Sequence, residues 1–379
     1  MSTRAPGEPQ LPEHPRWRTA PHRRRSTLIV EIMLLSLGLL GGVFALAWIV
    51  AEGGAGSTLL SALLASLPLL VILVLVWWVD RWEPEPRLLL IGALLWGAGA
   101  AVAGALVVNN AWFTAVEEAS GSELLATVTG VVVGAPLSEE IFKGFGLLII
   151  FLTRRRHFDG PVDGLVYAAV IAAGFAFTEN IFYFGRAAED GDLGLVFFGR
   201  AVMSPFAHVL FTAAMGIALG LASRARRRTW MWAFPVGLVA AILLHAVWNA
   251  SAVLGVVYLL LFVVFQIPLF AAYITLIVWL RHDERMIIRG RLTEYAHAGW
   301  FAPMEVEMLT SLRGRRMARA WAKNQGSDAH RAMRDFQRYA TWLAFTRQRV
   351  LIGRHDMGVR RDEHQLLSAV SRARAGWST

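Results

Sequence analysis

The sequence predicts an all-α polytopic membrane protein with about eight transmembrane helices and a cytoplasmic helical C-terminal tail. Three observations carry that prediction. Of the 379 residues, 56% are hydrophobic and 17% are charged, against roughly 45–50% and 25% in a soluble domain. Apolar runs of the roughly 20 residues needed to cross a bilayer recur as far as residue 280. The arginines of a chain with formal net charge +9 gather in short loops between those runs, as membrane orientation requires.

Eight runs qualify, at approximately 28–51, 58–79, 87–108, 124–152, 161–184, 197–222, 230–253 and 255–280. The first follows the basic APHRRR stretch, as in a signal peptide. It is longer than an h-region of about 7–15 residues, and further runs follow, so it reads as the first span. The last two are separated by almost nothing, and seven spans remain if one run is re-entrant. Three regions result: a basic N-terminal segment 1–27, a transmembrane domain 28–281 and a polar tail 282–379.

The loops set the orientation. Arg23, Arg24 and Arg25 precede the first span, Arg154, Arg155 and Arg156 follow the fourth, Arg224, Arg226, Arg227 and Arg228 follow the sixth, and Arg281 and Arg285 follow the eighth. With eight spans these all lie on one side, which is cytoplasmic. Glu117, Glu118, Glu123, Glu189, Asp190 and Asp192 fall on the other. A multi-pass protein of the cell membrane with both termini cytoplasmic is expected. The positive charge is assigned to orientation and anionic lipid, with no nucleic-acid partner. The absence of cysteine excludes disulfides, thiolate zinc sites and a cysteine nucleophile. In the tail, FQRYATWLAFTRQRVLI places Phe336, Tyr339, Ala340, Leu343 and Phe345 at roughly helical spacing, predicting two or three packed amphipathic helices.

The ionisable groups inside the spans carry the chemistry. A charge at the bilayer centre costs about 2.5–3.5 kcal/mol or more and marks function by default. The fourth span holds Glu139, Glu140 and Lys143, the fifth Glu179 and Asn180, the sixth His208, and the seventh His245 and Asn249. At about 1.5 Å rise per residue, Glu139 lies roughly 20 Å from the cytoplasmic helix end, His208 roughly 21 Å, His245 roughly 22 Å and Glu179 roughly 21–27 Å. Four consecutive helices thus place these groups in one layer, which argues for a single intramembrane site. Glu139 and Lys143 share a helix face, as do His245 and Asn249. Glu140 is turned about 100° from Glu139.

Two histidines and a glutamate suit zinc with an open position for water, and a further glutamate suits a general base. Asn180 and Asn249 suit ligand orientation or oxyanion binding. Bland readings stand beside these: a structural Glu139–Lys143 ion pair, and histidines serving as interhelical hydrogen bonders. Two adjacent glutamates weaken the first, because one lysine cannot neutralise both. Ser138, Thr178 and Ser204 flank the layer without forming a triad pattern, Pro205 is expected to kink the sixth span, and HExxH is absent. The rival activities are a proton-coupled transporter using the same Glu and His relay and an inactive scaffold with an arginine-rich tail. A transporter would show a second copy of the polar set in the other half.

The motifs resemble the PrsW family of intramembrane proteases, related to the type II CAAX prenyl endopeptidases and bacteriocin-processing enzymes. The resemblance rests on EEIFK from Glu139 to Lys143, GFAFTEN from Gly174 to Asn180, HVLFTAAMG at His208 and HAVWN from His245 to Asn249. DRWEPEP at Asp80–Pro86 and GPVDGLVYAA at Gly160–Ala169 also fit. The resemblance spans about residues 80–280. It implies hydrolysis of a membrane-anchored protein, with Glu139 and Glu140 catalytic and His208 and His245 beside them. The family's best-known role is cleavage of an anti-sigma factor in stress signalling. The resulting expectation is a peptidase in which Glu139, Glu140, Lys143 and Asn249 act in catalysis. His208, His245 and Glu179 are expected to hold zinc, with Asn180 in support.

Overall fold

Within a bilayer each apolar segment must satisfy its backbone hydrogen bonds internally, and these runs do so as helices. The computed structural model describes residues 25–154, 158–225, 228–255, 257–352 and 357–378, which contain no strand. The arginines at positions 23, 24, 155, 156, 226 and 227 lie outside the described residues. The chain divides into two compact units, Arg23–Ile287 and Ile288–Thr379.

Among the described residues, the first unit holds seven helices and the greater part of an eighth, which continues into the second unit. These are α1 (Leu28–Glu52), α2 (Gly54–Val79), α3 (Arg87–Ser120), α4 (residues 123–154), α5 (Pro161–Asp190), α6 (Leu193–Ser223), α7 (Trp230–Val253) and α8 (Val257–His297). All but α4 are long and apolar enough to cross a membrane. The expected fourth span is helical over its whole length but is not among those seven, and its Glu139, Glu140 and Lys143 are buried against protein. Burial among neighbouring helices, rather than apolar composition, accommodates those three groups.

Gly54, at φ 76°, lets the chain leave α1 and begin α2 at once, a conformation that costs a residue with a Cβ. The weak boundary between the last two runs is a turn at Leu254–Gly255. The Ser122 hydroxyl accepts the Leu125 N–H at 3.2 Å to start α4, with Glu123 in the first turn. As Pro205 implied, α6 is interrupted over Ser204–Phe206 and resumes at Ala207.

Helix α5 runs through the centre, buried at every position from Pro161 to Ala176, and packs against α1, α2, α3 and α6. The α5–α6 contact is backbone on backbone. A Cβ on Gly164 would lie 1.9 Å from the Gly216 carbonyl oxygen, and one on Gly216 would lie 2.2 Å from that of Gly164. Small residues permit such approach between membrane helices. Helices α3 and α4 each contain a π-helical turn, at Trp96–Ala101 and Gly130–Gly134. Side chains of neighbouring helices dock there: Thr178 donates to the Ala98 carbonyl at 2.8 Å, and Asn249 to that of Val131 at 2.9 Å.

Where Asp80–Pro86 joins α2 to α3, the two flanking motifs meet. Tyr167 donates to Glu85, Asp80 accepts the Glu85 N–H at 3.0 Å, and Asp163 accepts the Asp159 N–H.

The second unit contains α9 (Pro303–Leu309), α10 (Leu312–Asn324), α11 (Ser327–Leu351) and α12 (Met357–Ser378). Of the five residues placed at helical spacing, Phe336, Ala340, Leu343 and Phe345 are buried and Tyr339 is half-buried. Arg315 is buried too, donating to the Leu309 carbonyl and the Thr341 hydroxyl at 2.7 Å each. More helices form here than the two or three expected, because short α9 and α10 are separated by the Ser311 cap, whose hydroxyl accepts the Gly314 N–H.

Candidate active site

Helices α4, α5, α6 and α7 each bring polar groups to one place. On α4, Glu139 is 5% exposed, and Glu140 and Lys143 are fully buried. Spacing puts both glutamates within reach of the same ammonium: Lys143 Nζ donates to Glu140 Oε1 at 2.8 Å and to Glu139 Oε2 at 3.3 Å. Its third partner is His208 Nδ1 at 3.1 Å. The face of Phe175 lies 3.9 Å from the same nitrogen, a favourable seat for a cation.

Each histidine spends one ring nitrogen on an outer carboxylate and turns the other toward Glu139, with the two rings in opposite senses. His245 Nδ1 donates to Glu140 Oε1 at 3.1 Å, which turns Nε2 toward Glu139 Oε2, 3.9 Å away. His208 accepts from Lys143 at Nδ1, so Nε2 carries the proton and donates to Glu179 Oε2 at 2.7 Å. The inward-facing Nδ1 lies 4.0 Å from Glu139 Oε2. The His245 ring stacks on Phe211 at a centroid distance of 4.7 Å, and Phe175 packs against His208.

Glu139, His208 and His245 thus offer ligand atoms all within 4.8 Å of one another, on buried residues. The donor chemistry fits a catalytic zinc set of two imidazoles and a carboxylate. Each histidine also has the outer carboxylate that typically fixes a ligating imidazole. The group can hold a divalent cation.

Of the residues singled out from the sequence, Glu139, Glu140, Lys143, Glu179, His208 and His245 come together. Glu179, expected as a metal ligand, lies one step out, and Glu139 completes the trio instead. The reason is Arg200, whose guanidinium bonds Glu179 and holds the carboxylate on the far side of His208. Asn180 accepts from Arg200 Nε at 2.7 Å, supporting that clamp. Asn249, placed among the catalytic groups, spends its amide on the Val131 carbonyl and ties α7 to α4. Ser138 donates to Asn109 at 2.6 Å and ties α4 to α3.

Two residues were not singled out. Thr212 is fully buried and donates to Glu140 Oε2 at 2.9 Å. It lies four residues after His208, on the same helix face, which is a readable signal. Arg200 was legible as a cation inside the apolar run 197–222, but it sits near the run's end and reads there as an interfacial anchor.

Residues 85–273 match the model of the PrsW family of intramembrane metalloproteases. The chain is similar to Protease PrsW of Clostridioides difficile (strain 630), 34% identical over 192 residues that cover 49% of this chain and 76% of that protein. Protease PrsW of Geobacillus kaustophilus is 29% identical over 172 residues, covering 45% of this chain and 69% of that protein. Protease PrsW of Bacillus subtilis (strain 168) is 35% identical over 108 residues, 28% of this chain and 46% of that protein. No solved structure matches the chain.

Proposed function

The chain belongs to the PrsW family of intramembrane metalloproteases, and from that premise we propose that it hydrolyses a peptide bond of a membrane-anchored protein at the site built on Glu139, His208 and His245. The transporter considered from sequence gives way to a protease. The substrate class favoured by the family resemblance is a regulatory protein such as an anti-sigma factor. The distribution of arginines in the sequence supports placement in the cell membrane with both termini cytoplasmic.

The observation that carries the assignment is that Glu139 Oε2 faces both imidazoles while each imidazole is backed by another carboxylate. Glu139 handles the attacking water: Oε2 belongs to the trio, and the second oxygen of the same carboxylate takes the proton. Glu140 has a different task. With its oxygens engaged by Lys143, His245 and Thr212, it fixes the His245 tautomer and aims Nε2 inward. Glu179 does the same for His208. Lys143, bonded to Glu140 Oε1, neutralises charge in the buried carboxylate layer and holds Glu140 in place. Zinc would be held by Glu139, His208 and His245, and when bound it supplies Lewis acidity and a water of lowered pKa.

The test is cleavage of a membrane-anchored reporter in vesicles by wild type, Glu139→Gln and Glu140→Gln. Loss of the proton acceptor is expected to lower the Glu139→Gln rate by about 10²–10⁴-fold. Wild-type cleavage by that variant would sink the assignment.

A further inference from the structure

The trio that can bind a metal already has a cation among its ligand atoms. Lys143 Nζ lies 3.3 Å from Glu139 Oε2 and 3.1 Å from His208 Nδ1, two of the three positions a metal would use. It also lies 2.8 Å from Glu140 Oε1, the oxygen that orients the third ligand, His245. An ammonium has three N–H donors, and all three are spent on these atoms. Zinc at about 2.0–2.2 Å from Glu139 Oε2 and His208 Nδ1 would sit within roughly 3 Å of the same nitrogen. Two cations cannot share that space, and a protonated His208 Nδ1 or a donating lysine leaves no lone pair there for the metal. Nor is Lys143 loosely held: its side chain is fully buried and the Phe175 ring backs the ammonium.

We infer that Lys143 and a divalent metal are mutually exclusive occupants of the Glu139/His208/His245 trio, so that Lys143 acts as a tethered cation which metal must displace. The lysine keeps the buried carboxylates neutralised and the imidazoles aimed when no metal is bound. Metal entry requires Nζ to leave His208 and Glu139. The apparent metal affinity of the chain is therefore reduced by the small fraction of molecules with the lysine withdrawn. The inference rests on the assignment of the trio, and its readout is metal uptake rather than peptide cleavage, so it stands or falls apart from the protease activity.

The test is titration of metal-free full-length protein in detergent with cobalt(II), followed by visible absorption and by the shift in unfolding temperature. Wild type, Lys143→Met, Lys143→Gln and Lys143→Arg are compared. The two neutral variants are expected to bind cobalt at least about tenfold more tightly than wild type, as a tenth or less of lysine-out state implies. Lys143→Arg, which keeps a buried cation beside the carboxylates, is expected to bind no more tightly than wild type. A neutral variant that folds only with cobalt supports the exchange directly. Equal affinity in wild type and the folded neutral variants overturns it, and so does an arginine variant that binds as the neutral ones do. His208→Ala/His245→Ala in the Lys143→Met background separates the two readings: if cobalt still binds with unchanged spectrum, the trio assignment fails instead.

Discussion

Arg200 reaches the histidine layer through one intermediary. Its guanidinium bonds Glu179, Glu179 accepts from His208 Nε2, and His208 Nδ1 then faces Glu139. The Tyr183 ring lies 4.0 Å from the guanidinium carbon and holds it in place. Removing Arg200 frees Glu179 to follow other partners and leaves His208 without a fixed orientation. Arg200→Gln is expected to lower kcat by about 10–100-fold, the usual cost of losing an outer partner of a ligating group. KM for the reporter stays near wild type and the unfolding temperature changes little. Arg200→Lys recovers part of the loss, because a cation is restored without the planar fork. A fall in KM-dependent binding alone, with kcat intact, would remove Arg200 from this role.

At the scale of the element, two features are exposed to test. The first is the α5–α6 crossing, where Gly164 and Gly216 bring two backbones into contact. His208 and Thr212 sit on α6, and Glu179 on α5, so the crossing sets their separation. Gly216→Val is expected to destabilise the chain by about 1–3 kcal/mol or more through overpacking, read as a lower unfolding temperature in detergent. An unchanged temperature would mean the helices do not approach this closely.

The second feature is the Asp80–Pro86 connection. Burial there pushes the Asp80 carboxyl up to about 7 and the Glu85 carboxyl up to about 8, with neighbouring carboxylates adding to burial. A carboxyl whose folded pKa is raised holds a proton in the folded state that the unfolded chain has released. Stability is therefore unaffected below the unfolded pKa and is lost as pH rises toward the folded value. The unfolding temperature is expected to fall between about pH 4.5 and 8, and Glu85→Gln to flatten that fall. A Glu85→Gln profile parallel to wild type would remove Glu85 as a source of the pH dependence.

At the scale of the whole molecule, the groups proposed to act in catalysis all belong to the unit Arg23–Ile287. The unit Ile288–Thr379 has a core of its own, with Leu309, Phe336, Leu343 and Val370 buried. Domains with separate cores tolerate separation. A chain ending after Ile287 is expected to insert in the membrane, keep its unfolding temperature and retain reporter cleavage. Loss of cleavage with insertion intact would assign the tail a direct part in the reaction.

Much was legible from the sequence because the bilayer leaves few options. Apolar runs must become helices, and the α-helical class follows from their length and composition. Charged groups inside such runs are costly enough to mark a site, which is why Glu139, Glu140, Lys143, Glu179, His208 and His245 stood out. The motif order on successive runs also pointed to the family. Depth along a helix axis is readable by counting residues, and it placed these groups in one layer. Rotation about that axis and the choice of partner are set by packing between helices, and only the tertiary structure decided them. Packing gave Glu179 to Arg200 and His208, turned Asn249 onto the Val131 carbonyl, and set the Lys143 ammonium among the atoms that would bind a metal. Hydrogen bonds operate over about 3 Å, a precision that helical periodicity does not reach.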